Sequence, residues 1–452
     1  MKNKVLIAVL IPLCLPFTFL FSQNPGDPPL LKEGQELPYV KIRSRSFGLS
    51  VDRKNKQAVQ KFYHDVYLPA ATVKNEWSGS LQGCRPGTNS DSYQRATEQM
   101  INYFRAMAGL PADVFLDEEL DQKAIHAALI FKAQKSLSHN PPKNWKCWTD
   151  TGYTAAGSSN IYYGSSGPPA IAGYIEDPGA GNYFVGHRRW ILHPSQQVMG
   201  SGSTDESNAL WVFGGFKKER PPTPDGVAWP PAGYVPYLFG LSDDYRWSFS
   251  YNNADFKKAR VSVKYNNRNL RVKQEKTVNG YAENTLVWNV SGLPEGRPVD
   301  DVNAEVTIQN VNLNGKSVTL KYTVRFIDPG RGQSSGKENH NPGAGQELIN
   351  AAFKGDVLKG EMALDSGADI NTLHNGWTAL MIASNYGKED FVDFLLANKA
   401  DVSIELNGTW TALRLAESRN HSSIAEKLKQ AGASAVRSRS LNADHKIPAL
   451  KR

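Results

Sequence analysis

Val185-Gly-His-Arg-Arg-Trp-Ile-Leu-His-Pro194 holds the densest group of functional residue types in this 452-residue chain. It follows the turn-rich run Glu176-Asp-Pro-Gly-Ala-Gly-Asn-Tyr-Phe184, so an acid and His187 flank one short loop. His139 has a similar setting, because it follows Leu137-Ser138 and opens the turn Asn140-Pro141-Pro142. An imidazole in a loop can act as a ligand or as an acid-base group. His139 and His187 are therefore the first candidates for a functional site.

Two amphipathic segments lie upstream of these histidines. Met100, Phe104 and Met107 recur at helical spacing before Gly109 and Pro111, which predicts a helix that ends there. A second helix is predicted from Leu120 to Phe131, after acids that suit a helix N-terminus.

Three motifs in order resemble the CAP superfamily of cysteine-rich secretory, antigen 5 and pathogenesis-related 1 proteins. They are Asn102-Tyr-Phe-Arg-Ala-Met-Ala-Gly-Leu-Pro111, Leu137-Ser-His139 and Gly186-His-Arg-Arg-Trp-Ile-Leu-His-Pro194. The resemblance covers about residues 84–215 and implies an α+β domain built as an α-β-α sandwich. It does not imply one activity, because the superfamily includes lipid binders and toxins.

The superfamily places two histidines and two acids around one cleft. The resemblance matches His139 and His187 to the histidines and Glu176 to one acid. The other acid belongs to a Gly-Glu-Asn motif, and this chain instead reads Ala156-Gly-Ser-Ser-Asn160. Asn160 is kept, but a serine replaces the glutamate, so the tetrad is incomplete.

Two imidazoles and a carboxylate are suitable ligands for Zn²⁺ or another divalent metal. The predicted metal set is His139, Glu176 and His187, which would leave one position for water. A structural role is the alternative: the histidines would bond to loop backbones and hold the sandwich together. The cleft is also predicted to bind a lipid or another small ligand. Its predicted lining consists of the three metal-binding candidates together with Ser158, Ser159 and Asn160.

Catalysis is a weaker hypothesis. Ser158 or Ser159 could join a histidine and Glu176 as a nucleophile, but no Gly-x-Ser-x-Gly elbow accompanies them. Serines in this context more often bond the backbone of a turn. No residue is therefore assigned as catalytic, with His139, Glu176 and His187 as weak candidates only.

The N-terminus predicts export. Lys2 and Lys4 precede an apolar run from Val5 to Phe21, which is typical of a signal peptide over 1–22; an uncleaved membrane anchor is the alternative.

An exported chain that retains Cys84 and Cys147 most simply forms one disulfide, and two free thiols are the alternative. The expected location is secreted or periplasmic, in a bacterium.

Composition divides the rest of the chain. Residues 23–83 are irregular and carry no functional prediction, and residues 329–344 are a flexible linker by their glycine and polar content. Residues 216–328 predict a β-sandwich-like domain, since an alternation of apolar and polar residues over Val318–Phe326 follows an Asn314-Gly315 hairpin signal.

The basic tail 434–452 is predicted to be disordered. No recognition motif accompanies the net charge of +8, so no nucleic-acid partner is expected.

A repeat occupies residues 345–433. Trp377-Thr-Ala-Leu380 recurs as Trp410-Thr-Ala-Leu413, and Gly367-Ala-Asp-Ile-Asn371 recurs as Lys399-Ala-Asp-Val-Ser403. A period near 33 residues with this turn resembles ankyrin repeats, which implies an all-α array that binds protein. A spacer without a partner is the alternative.

These sequence patterns support two hypotheses for the function of the chain. The first is an exported CAP-domain binding protein with a His-lined cleft and an ankyrin interaction array. The second is a secreted metal-dependent hydrolase that uses His139, Glu176 and His187. Enzymatic activity is left open, with binding favoured because the acid tetrad is incomplete.

Overall fold

The computed structural model describes residues 25–31, 35–40, 48–294, 296–329, 342–374, 376–406 and 410–433. The predicted signal peptide (1–22), the linker positions 330–341 and the basic tail (434–452) lie outside the described residues. The first half of the described chain is mixed helix and sheet, the middle is strands with one short 3-10 turn (Tyr237–Phe239), and the last part is all-α apart from short hairpin strands. This is the multidomain α+β organisation that the sequence predicts.

Seven α-helices belong to the N-terminal half. The predicted helices are confirmed as α3 and α4; Ser90 caps α3 and Asp117 caps α4, each accepting a backbone N–H three residues later. A π-helical turn, Tyr63–Tyr67, joins the first two helices. The helices are α1 Lys56–Phe62, α2 Leu68–Ala71, α3 Asp91–Met107, α4 Glu118–Gln134, α5 Asp150–Ser158, α6 Gly167–Glu176 and α7 Gly186–Ile191.

These helices enclose a five-stranded sheet. Its strands are β1 Tyr39–Val40, β2 Phe115–Leu116, β3 Ser159–Tyr163, β4 Gln196–Ser203 and β5 Ser207–Lys217. The order is β1-β5-β4-β2, and β3 also pairs with β5 in antiparallel register. Neighbouring residues of β5 enter different cores, because Ala209 packs with α4 and α5 whereas Leu210 packs with α3 and α6. The result is the predicted α-β-α sandwich.

The middle region consists of two packed sheets. Its strands are β6 Val227–Trp229, β7 Gly233–Pro236, β8 Trp247–Ser250, β9 Ala254–Asp255, β10 Arg260–Tyr265, β11 Arg268–Asn269, β12 Arg271–Gln274, β13 Thr285–Ser291, β14 Val302–Leu313 and β15 Lys316–Ile327. The sheet orders are β11-β10-β14-β15-β7, with β9 on β14, and β12-β13-β8-β6. Trp247 of one sheet contacts Phe326 of the other, with ring centroids 5.6 Å apart. The predicted hairpin forms at Asn314-Gly315, where both residues have positive φ.

One apolar core joins the sandwich, the β-rich region and the N-terminal residues. Phe104 of α3 contacts Trp229 at 5.6 Å and Phe239 at 5.2 Å between ring centroids. Val59 and Phe62 of α1 are buried in the same core. Residues in the irregular N-terminal zone thus have structural partners that sequence periodicity did not predict.

The C-terminal array has its own core. Its helices are α8 Pro342–Lys354, α9 Val357–Asp365, α10 Ala379–Asn385, α11 Glu389–Ala397, α12 Ala412–Ser418 and α13 Ser422–Gln430, and its hairpin strands are β16 Leu373–His374 and β17 Trp377–Thr378. Thr378 caps α10 and Thr411 caps α12, each by accepting a backbone N–H. The repeated Trp-Thr-Ala-Leu therefore has a local cause, since its threonine begins a helix in each repeat.

The disulfide prediction is confirmed, because Cys84 and Cys147 are bonded across 63 residues. Within the described ranges, no helix has the length and apolar character needed to cross a membrane.

Candidate functional site

His187 is fully buried and hydrogen-bonded to an acid. It lies in α7 with 0% exposure, and its Nδ1 is 2.8 Å from Oδ1 of Asp177. The other Asp177 oxygen accepts the backbone N–H of His187 at 2.9 Å. The ring of Tyr174 stacks on the imidazole, with centroids 5.4 Å apart. This arrangement fixes Nδ1 as the nitrogen that faces the carboxylate and leaves Nε2 without a hydrogen-bond partner among the described residues.

Asp177 reaches His187 because of where helix α6 ends. The helix runs to Glu176, and Asp177 follows with φ of 57° in the left-handed region. This reversal buries Asp177 completely while Glu176 stays exposed. The sequence prediction selected the neighbouring acid, and the turn at the end of α6 decides between the two.

Glu176 lies in a different pocket. It lines a surface cavity of about 770 Å³ between the sandwich and the β-rich region, with Arg246, Arg271 and Lys273. His139 lines another pocket, of about 600 Å³, with Ser138, Asn140 and Asn182. The structure therefore does not place Glu176 in the pocket that His139 lines.

Both ring nitrogens of His139 face backbone carbonyls. Nδ1 is 2.6 Å from the oxygen of Ala156, and Nε2 is 2.5 Å from the oxygen of Asp27. Burial lowers the pKa of His139, and the two carbonyls offset part of this shift. A neutral imidazole carries one N–H, so the ring donates to one of these carbonyls at a time.

The residues in place of the missing glutamate lie where α5 ends and β3 begins. Ser159 and Asn160 are fully buried, whereas Ser158 is half-buried at the end of α5. Nδ2 of Asn160 donates to the carbonyl of His187 at 3.2 Å. Oγ of Ser159 and Oδ1 of Asn160 have no partner within the described part of the chain. Asn160 is thus the predicted cleft residue that contacts His187.

No group of three or more His, Cys, Asp or Glu side chains among the described residues is placed to hold a metal ion. The predicted ligands are separated, since His139 faces carbonyls, His187 pairs with Asp177 and Glu176 lines another pocket. This geometry does not fit a bound Zn²⁺, and we derive no chemistry from one.

The residues that cover this site carry no motif that would have indicated them in the sequence. Residues 25–31, here called the N-terminal strap, run across the pocket of His139, where Asp27 supplies the carbonyl that faces its ring. The run Pro25-Gly-Asp-Pro-Pro29 is typical of a turn or loop and has no periodicity that would indicate a binding partner. Only the fold brings it to β3, more than 100 residues away along the chain.

The two arginines after His187 connect the sandwich to the β-rich region. Arg188 donates to the carbonyl of Arg246 at 2.7 Å and to Oγ of Ser248 at 3.0 Å. Arg189 donates to the carbonyls of Val278 and Glu283, each at 2.9 Å. The motif that contains the histidine therefore also docks the neighbouring sheets.

Comparison with protein-family models agrees with this architecture. Residues 98–213 match the cysteine-rich secretory protein family (CAP), and residues 348–438 match the model for three copies of the ankyrin repeat. The chain thus contains a CAP domain followed by a β-rich region and ankyrin repeats. Ankyrin repeats generally mediate protein–protein interaction, which gives the chain a protein-interaction role in outline.

Proposed function

We propose that this chain is an exported CAP-domain protein that binds a protein partner through its ankyrin repeats. The observation that carries the proposal is the array of residues 342–433, whose repeats stack around one core of their own. Repeat arrays bury only their neighbour contacts and leave an extended surface available. The array is therefore a binding module attached to the CAP domain and β-rich region.

The inner side of the array, formed by helices α8, α10 and α12 and the β16–β17 hairpin, offers apolar side chains to a partner. Leu373 of the β16–β17 hairpin is 59% exposed, and Tyr386 at the end of α10 is 42% exposed. The ring of Phe353 lies 5.5 Å from that of Tyr386, so α8 and α10 contribute to one aromatic surface. Exposed aromatic side chains are common anchors of protein interfaces.

The outer helices are fixed by polar contacts between repeats. Lys427 of α13 pairs with Glu389 and Asp393 of α11, at 3.0 and 2.5 Å. Ser423 also donates to Glu389 at 2.5 Å. These bonds occupy the outer face, which favours the inner face as the binding surface.

Export is supported by two features. The disulfide between Cys84 and Cys147 is suited to an oxidising compartment. The charged and apolar N-terminus has the pattern of a signal peptide. A secreted or periplasmic bacterial protein remains the proposed location.

Two proposals concern the His-lined cleft. A lipid or small ligand could bind in the pocket of His139, and a metal-dependent hydrolase would use His139, Glu176 and His187. The hydrolase requires these groups to converge, whereas the structure separates them. Elemental analysis of the full chain and of a His139→Ala/His187→Ala variant tests metal binding: about one zinc per chain, lost in the variant, would favour the hydrolase.

The array proposal is tested by comparing capture of proteins from the native compartment. The full chain is used as bait beside a Leu373→Ala/Tyr386→Ala variant and a Leu358→Ala variant. Leu358 is a matched control, because it is 58% exposed but lies on α9, outside the inner surface. We expect a partner that the first variant loses by at least tenfold and the control retains. Equal capture by all three chains would contradict the proposal.

A further inference from the structure

The strap is held through alternate carbonyls. Nδ2 of Asn182 donates to the oxygen of Pro25 at 3.4 Å, and Nε1 of Trp190 donates to the oxygen of Pro29 at 2.8 Å. Between them, Nε2 of His139 is 2.5 Å from the oxygen of Asp27. Three side chains from three separate elements thus meet carbonyls 25, 27 and 29. This two-residue period is the spacing of an extended peptide backbone.

The strap also extends the sheet. The N–H of Gly26 donates to the oxygen of Ile161 at 3.0 Å, and Pro25 forms an antiparallel bridge with Tyr162. β3 pairs with β5 on its other side, so the strap takes the edge that the sheet leaves open. Addition of an extended segment to a strand edge is a recurring mode of peptide recognition.

The fit of the strap depends on residue type at four positions and not at the fifth. Pro25, Pro28 and Pro29 are buried, whereas Asp27 is exposed. A Cβ on Gly26 would approach Ile161 to 2.9 Å, so only glycine fits there without a shift. The Gly186 backbone leaves the space that Pro28 fills, because a Cβ on Gly186 would lie 2.4 Å from the proline ring. The groove therefore selects the pattern Pro-Gly-x-Pro-Pro.

The groove is larger than the segment that lies in it. The pocket of about 600 Å³ beside the strap is lined on its far side by Leu137, Ser138 and Gly179–Asn182. A ligand with the same backbone path would have room for a side chain larger than that of Asp27 at the third position, which is exposed.

We propose that this groove of the CAP domain is a peptide-binding site, which the strap fills in cis and which takes an extended partner segment of the type Pro-Gly-x-Pro-Pro. Main-chain carbonyls supply the hydrogen-bond acceptors, and the buried proline rings and the glycine supply the selectivity. The site is distinct from the ankyrin array and does not rest on the function proposed for it.

The test uses the full chain carrying Gly26→Leu, a change within the strap that leaves the residues of the groove unaltered. The probe is a fluorescein-labelled peptide of residues 23–31, followed by fluorescence anisotropy. We expect the peptide to bind the variant at least tenfold more tightly than it binds the unmodified chain, whose strap competes. The same peptide with leucine for glycine should not bind, and a peptide with alanine for aspartate should bind within about twofold.

Absence of peptide binding to a folded Gly26→Leu chain, judged by near-UV circular dichroism, would overturn the proposal. If that variant does not fold, Pro28→Ala/Pro29→Ala takes its place, because it loosens the strap without adding volume. The unmodified chain could instead form dimers that dissociate when excess peptide is added. That result would identify the occupant of the groove as the strap of a second copy, and it would overturn the assignment to a separate partner.

Discussion

Asp177 is a buried carboxylate with three hydrogen bonds, and this environment makes it the least replaceable acid of the site. Its oxygens accept from Nδ1 and the backbone N–H of His187 and from the backbone N–H of Arg188, at 2.8, 2.9 and 3.3 Å. An ionised acceptor strengthens each of these bonds relative to a neutral one.

We expect Asp177→Asn to lower the free energy of unfolding by about 2–3 kcal/mol, since an amide offers one acceptor oxygen in place of two. Denaturant unfolding measures the change. Glu176→Gln is the matched control, because the adjacent side chain is exposed; it should shift stability by less than about 0.5 kcal/mol. Equal effects of the two variants would contradict the assignment of Asp177 as the partner of His187.

His193 makes stability depend on pH. Burial, with smaller contributions from Arg105 and Arg220, lowers its pKa to about 3. Between this value and the unfolded pKa of about 6.5, the unfolded chain binds a proton that the folded chain does not. The contribution of His193 therefore becomes less favourable as the pH falls through this window.

We expect a loss of up to about 2 kcal/mol from this residue between pH 7 and pH 5. Unfolding of the unmodified chain and of His193→Gln at both pH values isolates the effect, because glutamine keeps an acceptor for the N–H of Ser195. The stability difference between the two chains should change by that amount. A difference independent of pH would show that His193 titrates normally.

At this scale, the sequence identified the two histidines but not their partners. Loop context and the CAP resemblance singled out His139 and His187. The choice of Asp177 over Glu176 depends on one left-handed residue after α6, and local composition does not encode which of two adjacent acids turns inward. The carbonyl of Asp27 is a backbone group, so no side-chain motif could have indicated it.

At the scale of elements, the disulfide fixes the approach to α3. Cys84 lies in the short 3-10 turn before that helix, and Cys147 lies in the loop between α4 and α5. Replacing both with serine should lower the free energy of unfolding by about 4 kcal/mol, since a 63-residue loop is no longer closed in the unfolded chain. Denaturant unfolding tests this value. Two free thiols in the folded, unmodified chain would exclude the bond.

Elements with a strong local pattern were predictable, and elements defined by distant pairing were not. The alternation in β15 and the helical spacing in α3 and α4 correspond to real elements. β1 has two residues and exists because it pairs with Phe216 and Lys217 of β5. The strap depends in the same way on β3. Such segments are too short to show a hydrophobic period in the sequence. Their structure is therefore determined by the strands with which they pair.

At the scale of the whole molecule, the described residues form three apolar cores. The largest extends from α1 through the CAP domain into the β-rich region, a small one lies between α4, α5 and the CAP sheet, and the third belongs to the ankyrin array. Arg188 and Arg246 reinforce the first, since Arg246 also donates to the carbonyls of Asp177 and Gly179. This continuity predicts that the CAP domain and the β-rich region unfold together.

Limited trypsin digestion tests this organisation. The predicted linker offers Arg331 and Lys337. At the start of the connection to the β-rich region, Lys217 and Arg220 are paired with Asp113 and Glu283, and Lys218 between them is exposed but adjoins the paired β5. Cleavage needs locally unfolded chain, so we expect the first cuts within 329–344, apart from trimming of the basic tail 434–452, which also offers lysines and arginines. The N-terminal product should keep the near-UV circular dichroism of the aromatic core, with both sheets intact.

The connection after β5 is the informative control in the same digestion. Lys217, at the end of β5, has a side chain that is only 8% exposed, whereas Lys218 is exposed and accessible to the protease. Separation of the two regions there would part Phe104 from Trp229. Early cuts at 217–220 that release a folded β-rich fragment would show that the shared core contributes little to stability. Persistence of the large fragment after the linker is fully cleaved would instead establish the CAP domain and the β-rich region as one cooperative unit that does not need the ankyrin array.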